Sequence, residues 1–257
     1  VLKGFKMSDT DVMSVVDKMN SVSNQNPISF VALADGLERV SSTMQESGNT
    51  IDQTIGLIAG GYTQLQDIDK VSNGLVEIQQ RLMGIDEGGN AIEGLSANLK
   101  DSFGAIGIAV ENSDGSLRSM YDIAKDYANI LPTLSSSQKQ FYGELAAGKQ
   151  ISVWDAITEQ MGTVELATSQ SITSVGSASK ENETYLKSLS GKVSQLKSSF
   201  EELSATLLNS GILDFLVKLG TTGVNAINGI VKALTPLGTL ATIGGGILGS
   251  KNLGYAI

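Results

Sequence analysis

Two residue types are missing from the sequence: its 257 residues include no cysteine and no histidine. Without cysteine there is no disulfide, no thiolate nucleophile and no cysteine-based zinc site. Without histidine there is no His-dependent triad, no imidazole metal ligand and no side chain that ordinarily titrates near neutral pH. These absences exclude the commonest catalytic and metal sites, and we expect a protein that is not an enzyme and binds no cofactor.

Proline and aromatic residues are scarce, with 3 prolines and an aromatic content of 5%. A large globular enzyme usually carries more aromatic mass, because Phe, Tyr and Trp dominate core burial. Few prolines, together with abundant Ala, Leu, Ser, Gln, Glu and Lys, favour helix over sheet. The composition therefore predicts a mainly α fold.

Basic residues are also in the minority, with 18 Lys and Arg against 27 Asp and Glu, a formal net charge of −9. Nucleic-acid binding depends on Lys and Arg that neutralise phosphates, and no basic stripe with interleaved aromatics is present. We therefore expect no sequence-specific nucleic-acid binding. The sequence begins at Val1 and runs directly into polar residues, so we expect a segment of a longer protein that carries no signal peptide.

Three regions follow from the pattern along the chain. Residues 1–180 are predicted to be a region of short helices, with capping boxes at Thr50-Ile51-Asp52-Gln53 and Ser135-Ser136-Ser137-Gln138. A Gly-rich irregular insert is expected near 84–115, with a brief strand over Ile106–Val110. Residues 181–210 are predicted to form a coiled-coil helix, and residues 211–257 an apolar, Gly-rich helical segment. The remaining long helices are expected at Leu117–Leu131 and Ser152–Ser171.

The strongest periodic pattern is a heptad of apolar residues spaced alternately by three and four. Over three repeats this spacing is typical of a coiled-coil seam, and one such helix extends about 33 Å at ~1.5 Å per residue. The alternative is a single helix packed within an ordinary helical domain. The predicted oligomer seam consists of Leu186, Leu189, Val193, Leu196, Phe200, Leu203 and Leu207.

From Leu219 to Ser250 the only charged residue is Lys232. A membrane-spanning helix needs about 20 mainly apolar residues, and the uncharged run Ala233–Ser250 falls slightly short. Two interpretations stay open: a buried Gly-rich helical hairpin or oligomer core, which we prefer, and a membrane segment in which Gly245 and Gly249 form a small-xxx-small pair. The candidate membrane segment contains Leu234, Leu237, Leu240, Ile243, Gly245, Ile247, Leu248 and Gly249.

Paired carboxylates are the remaining candidates for chemistry, at Asp67 and Asp69, at Asp86-Glu87 and at Glu201-Glu202. General acid–base catalysis needs two carboxyl groups that face each other across a pocket, whereas adjacent residues on a helix point apart. Asp67 and Asp69 precede a predicted helix, where helix-start electrostatics explains them. Three Ser-x-x-Lys spacings lack the further motifs of a serine acylase. Trp154 is predicted to be a core anchor.

Several stretches together resemble the tail tape-measure proteins of long-tailed phages and prophages, especially those of Gram-positive hosts. They cover roughly residues 10–210, and their order and spacing carry the resemblance, since none is a catalytic motif. The stretches are Val15–Val22, Phe30–Glu46, Thr50–Gly60, Asp114–Ile123 with its continuation to Ala146–Gln150, and Ser174–Ala178, which leads into the heptad.

The resemblance implies a long, mostly helical, non-catalytic chain that lies in the lumen of the virion tail as a homo-oligomer, a trimer. Such proteins template polymerisation of the tail-tube protein, so that tube length follows chain length, and they contact tail-tube and distal tail proteins. They leave the tube ahead of the DNA during genome ejection. Apolar segments of the family are associated with the host membrane and cell envelope, a role that Leu219–Ser250 fits.

Two other functions stay open on the sequence alone. A membrane-active helical pore or translocator protein would share the heptad and the apolar stretch. An enzyme without His or Cys, such as a carboxylate-based lysin, would need Asp67 or Asp69 for turnover of cell-wall material. The missing histidine argues against the common metallo-enzymes of this kind.

Overall fold

The computed structural model describes residues 1–189 and 192–193, and these are mainly helical, as the composition predicts. Residues Val1–Thr184 form one compact unit, and Tyr185 begins a second. The described chain contains α1 (Val12–Ser23), α2 (Phe30–Glu46), α3 (Ile51–Leu65), α4 (Ile68–Leu82), α5 (Leu95–Ala105), α6 (Met120–Ile130), α7 (Ser136–Ala147), α8 (Ile151–Glu159) and α9 (Met161–Ile172). Residues 177–189 are also helical.

Five of the helices, α2, α3, α4, α6 and α7, begin at a side chain that accepts a hydrogen bond from a backbone N–H of the first turn. Thr50 and Ser135 each form the capping box that the sequence predicts, with Gln53 and Gln138 as the reciprocal partners. Such caps satisfy N–H groups that have no partner within the helix. At the other end of α7, Gly148 has a φ of +55°. Glycine adopts this backbone angle more readily than residues with a side chain do.

Helix α3 is the centre of the compact unit. It contacts α2, α4, α8 and α9, and its residues from Thr54 to Gly61 are all buried. A helix that is apolar on all sides is stable in water only when other helices cover it. Helix α9 lies along α3 because Gly56 and Gly60 leave room for it: a β-carbon on Gly56 would lie 2.6 Å from the carbonyl oxygen of Val164.

Four aromatic residues of the compact unit, Phe103, Tyr127, Tyr142 and Trp154, form one cluster. Tyr127 lies 5.4 Å from Trp154 and 6.1 Å from Phe103 between ring centroids, and Tyr142 contacts Phe103 edge-on at 5.7 Å. Trp154, Tyr127 and Phe103 are fully buried. The prediction that Trp154 is a core anchor is confirmed, and its cluster joins α5, α6, α7 and α8.

The largest differences from the sequence-based map lie between residues 84 and 120. The predicted strand over Ile106–Val110 is wrong, because these residues follow α5 as a turn, and α5 itself (Leu95–Ala105) lies inside the stretch expected to be irregular. Two short hairpins flank α5, each closed by one isolated bridge, Ile85 to Ala91 and Glu111 to Leu117. Helix α6 begins three residues later than expected because Leu117 belongs to the second hairpin.

The helix predicted over Ser152–Ser171 is divided in two. Helix α8 ends at Glu159 and α9 begins at Met161, with Gln160 between them at φ −98° and ψ 25°. The nearest glycine, Gly162, lies within the first turn of α9, and no proline lies near the break. The break coincides with a change of packing partners, since α8 packs on α4 and α7 and α9 packs on α1, while α3 contacts both.

Candidate functional site

The start of the 177–189 helix is held by a residue from the other end of the compact unit. The two carboxylate oxygens of Asp17, on α1, each accept one hydrogen bond, from the backbone N–H of Gly176 at 2.8 Å and of Ala178 at 2.9 Å. The residue before this helix is a glycine, so no side chain at that position can cap it. Asp17 therefore caps this helix although Gly176, the residue before the helix, lies 159 positions after Asp17 in the chain.

Asn20 on α1 and Asn24, which directly follows α1 with a right-handed helical backbone, extend this contact. Asn20 Nδ2 donates to Ser177 Oγ at 3.0 Å, and Asn24 Nδ2 donates to Glu181 Oε2 at 2.6 Å. Residues 17, 20 and 24 are spaced by three and four, which places them in one row along the helix. Residues 17, 20 and 24 thus contact the first turns of the 177–189 helix through hydrogen bonds.

A largely buried ion pair fixes α1 against the rest of the unit. Lys18 Nζ lies 2.6 Å from Asp52 Oδ1, with side-chain exposures of 14% and 19%. Ser171 Oγ donates to the same oxygen at 2.5 Å. One carboxylate on α3 therefore joins α1 to α9, and this holds the row that carries Asp17 in place.

The predicted seam begins where the described chain ends. Leu186 and Leu189 are exposed to 53% and 39%, and Val193 is half-buried. The other predicted seam residues, Leu196, Phe200, Leu203 and Leu207, lie outside the described residues. So does the candidate membrane segment, including Leu234, Leu237, Leu240, Ile243, Gly245, Ile247, Leu248 and Gly249.

Two exposed apolar side chains precede the 177–189 helix. Ile172, at the end of α9, is 60% exposed, and Val175 is 93% exposed in the connection that follows. Val175 is adjacent to Gly176, whose N–H binds Asp17. The sequence predicts no role for either residue, although both lie in or beside the Ser174–Ala178 stretch that carries the resemblance.

The carboxylate pairs have structural roles where they are described. Asp67 caps α4 by accepting from the N–H of Lys70, and Asp69 pairs with Arg39 at 2.6 Å. Asp86 closes the first hairpin: hydrogen bonds from the backbone N–H of Asn90, then from its side chain and from Gly88, lower the pKa of Asp86. Glu201-Glu202 lies outside the described residues.

A shallow pocket of about 130 Å³ lies between the end of α4, the first hairpin and Gly148-Lys149. Its cations already have partners: Lys149 pairs with Glu77 and Glu87, and Arg81 Nε donates to the carbonyl oxygen of Leu145 at 3.0 Å. These contacts join α4, the hairpin and the end of α7. Within the described part of the chain, no group of three or more acidic side chains converges in the geometry of a metal site.

Comparison with known protein families decides the class of this chain. Residues 1–148, more than half of it, match the model of a family described as phage-related minor tail protein. The chain belongs to this family. It is a structural component of the phage virion tail, where it associates with other tail proteins. No solved structure matches it.

The family match of this minor tail protein covers α1 to α7. Helix α9, which lies along the central helix α3, follows the matched range in the chain. Helix α9 buries Val164 and Ala167 fully, and it supplies Ser171 to the buried ion pair. The compact unit is therefore completed by residues beyond the matched range. Among residues 1–189 and 192–193, no helix is long and apolar enough to span a membrane.

Proposed function

We propose that this minor tail protein is a segment of the tail tape measure, the non-catalytic helical chain that occupies the tail tube and sets its length during assembly. The observation that carries the proposal is the arrangement of the chain: a compact helical unit of the tail-protein family leads directly into a helix whose first two seam leucines are exposed. An exposed leucine pair at heptad spacing fits a second copy of the same helix.

A ruler needs an element with a constant rise per residue, and an α-helix supplies about 1.5 Å. The predicted coiled-coil helix over residues 181–210 would be only marginally stable in water as a single exposed helix, whereas burial of its seam against other copies stabilises it. The protein thus acts as a homo-oligomer, a trimer as in the resemblance, around which the tail-tube protein polymerises. Its acidic balance of 27 acidic to 18 basic residues suits a lumen that DNA must later cross without being bound.

The compact unit has a different role from the ruler. Its helices are short and pack on one another, so it adds little length, and we assign it to contacts with other tail proteins near one end of the tube. The apolar stretch Leu219–Ser250 then acts at genome ejection, when the chain leaves the tube and aids the passage of DNA through the host envelope.

The test of the ruler is tail length measured by electron microscopy after deletion of residues 187–207 in the phage. The deletion removes three heptads and keeps the register of the flanking sequence, and we expect tails shorter by roughly 30 Å. The matched control replaces the same residues with three heptads of an unrelated coiled coil, which should restore the length. Tails of unchanged length after the deletion would contradict the ruler.

A membrane-active protein is the second candidate function, because only one charged residue, Lys232, interrupts the sequence from Leu219 to Ser250. This function predicts that the full chain releases dye from lipid vesicles without any other tail protein. A variant with Ile243 and Ile247 both changed to Asp should lose the release, because charges are costly in the bilayer core. Leakage together with unchanged tail length in the deletion phage would favour this function over the ruler.

A further inference from the structure

The 177–189 helix begins without a capping residue of its own. Ser177 follows Gly176, whose φ is +78°, and the first N–H groups of a helix need acceptors from outside it. Asp17 supplies them from α1 with both carboxylate oxygens, at 2.8 Å and 2.9 Å. A carboxylate at this end of a helix is also favoured by the helix dipole.

Forming the first turn is the unfavourable step of helix formation, with a nucleation constant of about 10⁻³. A carboxylate already held in place lowers this cost, because it satisfies N–H groups that the first turn leaves unpaired. Asp17 is held in place, since its neighbour Lys18 makes the buried ion pair with Asp52 and Ser171. Asn20 and Asn24 bind the first two turns of the helix through Ser177 and Glu181.

We propose that Asp17 is a positioning residue that starts the seam helix from the compact unit, so that Leu186 and Leu189 are already helical before a second copy binds. The proposal rests on the proposed homo-oligomeric seam. The proposal gives α1 a function beyond packing, because Asp17 on α1 fixes the residue at which the seam helix begins. The heptad register is then the same in every copy. Copies can then associate in register, because the unfavourable nucleation of the helix has already taken place in each copy.

The experiment measures amide hydrogen exchange of residues 177–189 in the full chain, with the amides of α3 as an internal reference for global stability. In Asp17→Ala we expect exchange in 177–189 to accelerate about tenfold, the equivalent of one lost cap, while α3 exchanges as before. Asp17→Asn keeps one acceptor oxygen and places an amide N–H₂ against the other backbone N–H, so we expect a smaller acceleration. Asp35→Ala, an exposed change on α2 that removes the same charge, is the control.

Two results would overturn the proposal. Unchanged exchange of 177–189 in Asp17→Ala would show that the helix starts without the cap. Equal acceleration in 177–189 and in α3 would show that Asp17 only stabilises the compact unit. The molecular mass of the wild-type chain in solution tests the proposed function independently. A monomer at high concentration would contradict the homo-oligomer, whereas the exchange rates alone test whether Asp17 caps the helix.

Discussion

Gly56 of α3 lies directly against Val164 of α9, such that a β-carbon at position 56 would be 2.6 Å from the carbonyl oxygen of Val164. This oxygen belongs to the backbone, so it cannot move aside as a flexible side chain can. Gly60, one turn later, lies against the side chain of the same valine. The pair of glycines therefore determines how closely the two helices approach.

Gly56→Ala is expected to destabilise the fold by about 1–3 kcal/mol, because the added methyl group overpacks this contact by more than the gain in helix propensity of up to ~1 kcal/mol. The measurement is urea unfolding followed by far-UV circular dichroism. Gly162→Ala on α9 is the control, since a β-carbon there meets nothing within 4 Å. The control should be neutral or stabilising, and equal destabilisation by both changes would contradict the close-contact explanation.

Asp52→Asn is expected to lower the free energy of unfolding by about 1–3 kcal/mol, because it leaves Lys18 largely buried without a counter-charge. Asp69→Asn is a matched control: both aspartates are the second residue of a helix, but Asp69 pairs with Arg39 at the surface, with exposures of 64% and 47%. Surface pairs contribute less than about 1 kcal/mol. Thermal unfolding of the two variants should therefore differ, and equal losses would show that the buried pair stabilises the fold no more than the surface pair does.

Tyr127 should make the stability of the compact unit depend on alkaline pH. Burial, and next the charge of Asp155, raise the pKa of Tyr127 from 10.0 to about 12. The unfolded chain therefore releases the phenolic proton first, and the stabilisation that is present below pH 10 is lost as the pH rises towards 12. The slope is at most about 1.4 kcal/mol per pH unit for one proton.

The check is the difference in unfolding free energy between the wild type and Tyr127→Phe across this pH range. Lysines titrate in both proteins and cancel in the difference. Tyr127→Phe should lose part of the alkaline dependence, and the phenolate absorbance of the folded wild type should lack one tyrosine until the pH approaches 12. An unchanged dependence in the variant would assign the pH effect to other groups.

The seam predicts that Leu186 and Leu189 are needed for self-association. Changing both to Gln preserves helix propensity but removes apolar surface worth about 1.5–3 kcal/mol for each buried leucine, so association should weaken at least tenfold per copy. Ser188→Gln, one residue away on the outer side of the heptad, should leave association unchanged. Sedimentation equilibrium measures both, and equal masses for the double variant and the wild type would exclude this pair from the seam.

Local chemistry accounts for the parts of the fold that the sequence predicts well. The caps at Thr50, Asp67 and Ser135 are formed within four residues, and the buried residues of α2 and α4 recur at helical spacing. The sequence-based prediction of helix boundaries is wrong where contacts with residues distant in the chain determine them. Gln160, which separates α8 from α9, is itself a good helix former, and Leu117 leaves the predicted helix because it pairs with Glu111.

The candidate site divides in the same way. Its heptad spacing and the position of its first leucines can be read from the sequence, and a Gly at position 176 is the only local hint that the following helix needs a cap from elsewhere. That Asp17 supplies this cap cannot be predicted, because 159 residues separate the two groups. Their meeting depends on the docking of α1 against α9.

The sequence by itself determined the helical class, the helix starts at Thr50, Asp67 and Ser135 and the exclusion of cysteine and histidine chemistry, because composition and caps act over a few neighbouring residues. Tertiary structure alone decided which polar groups meet: Lys18 with Asp52 and Ser171, and Asp17 with the start of the 177–189 helix. These contacts join segments more than 30 residues apart, and they form only when the glycines of α3 let α9 approach and the buried core fixes α1 beside it.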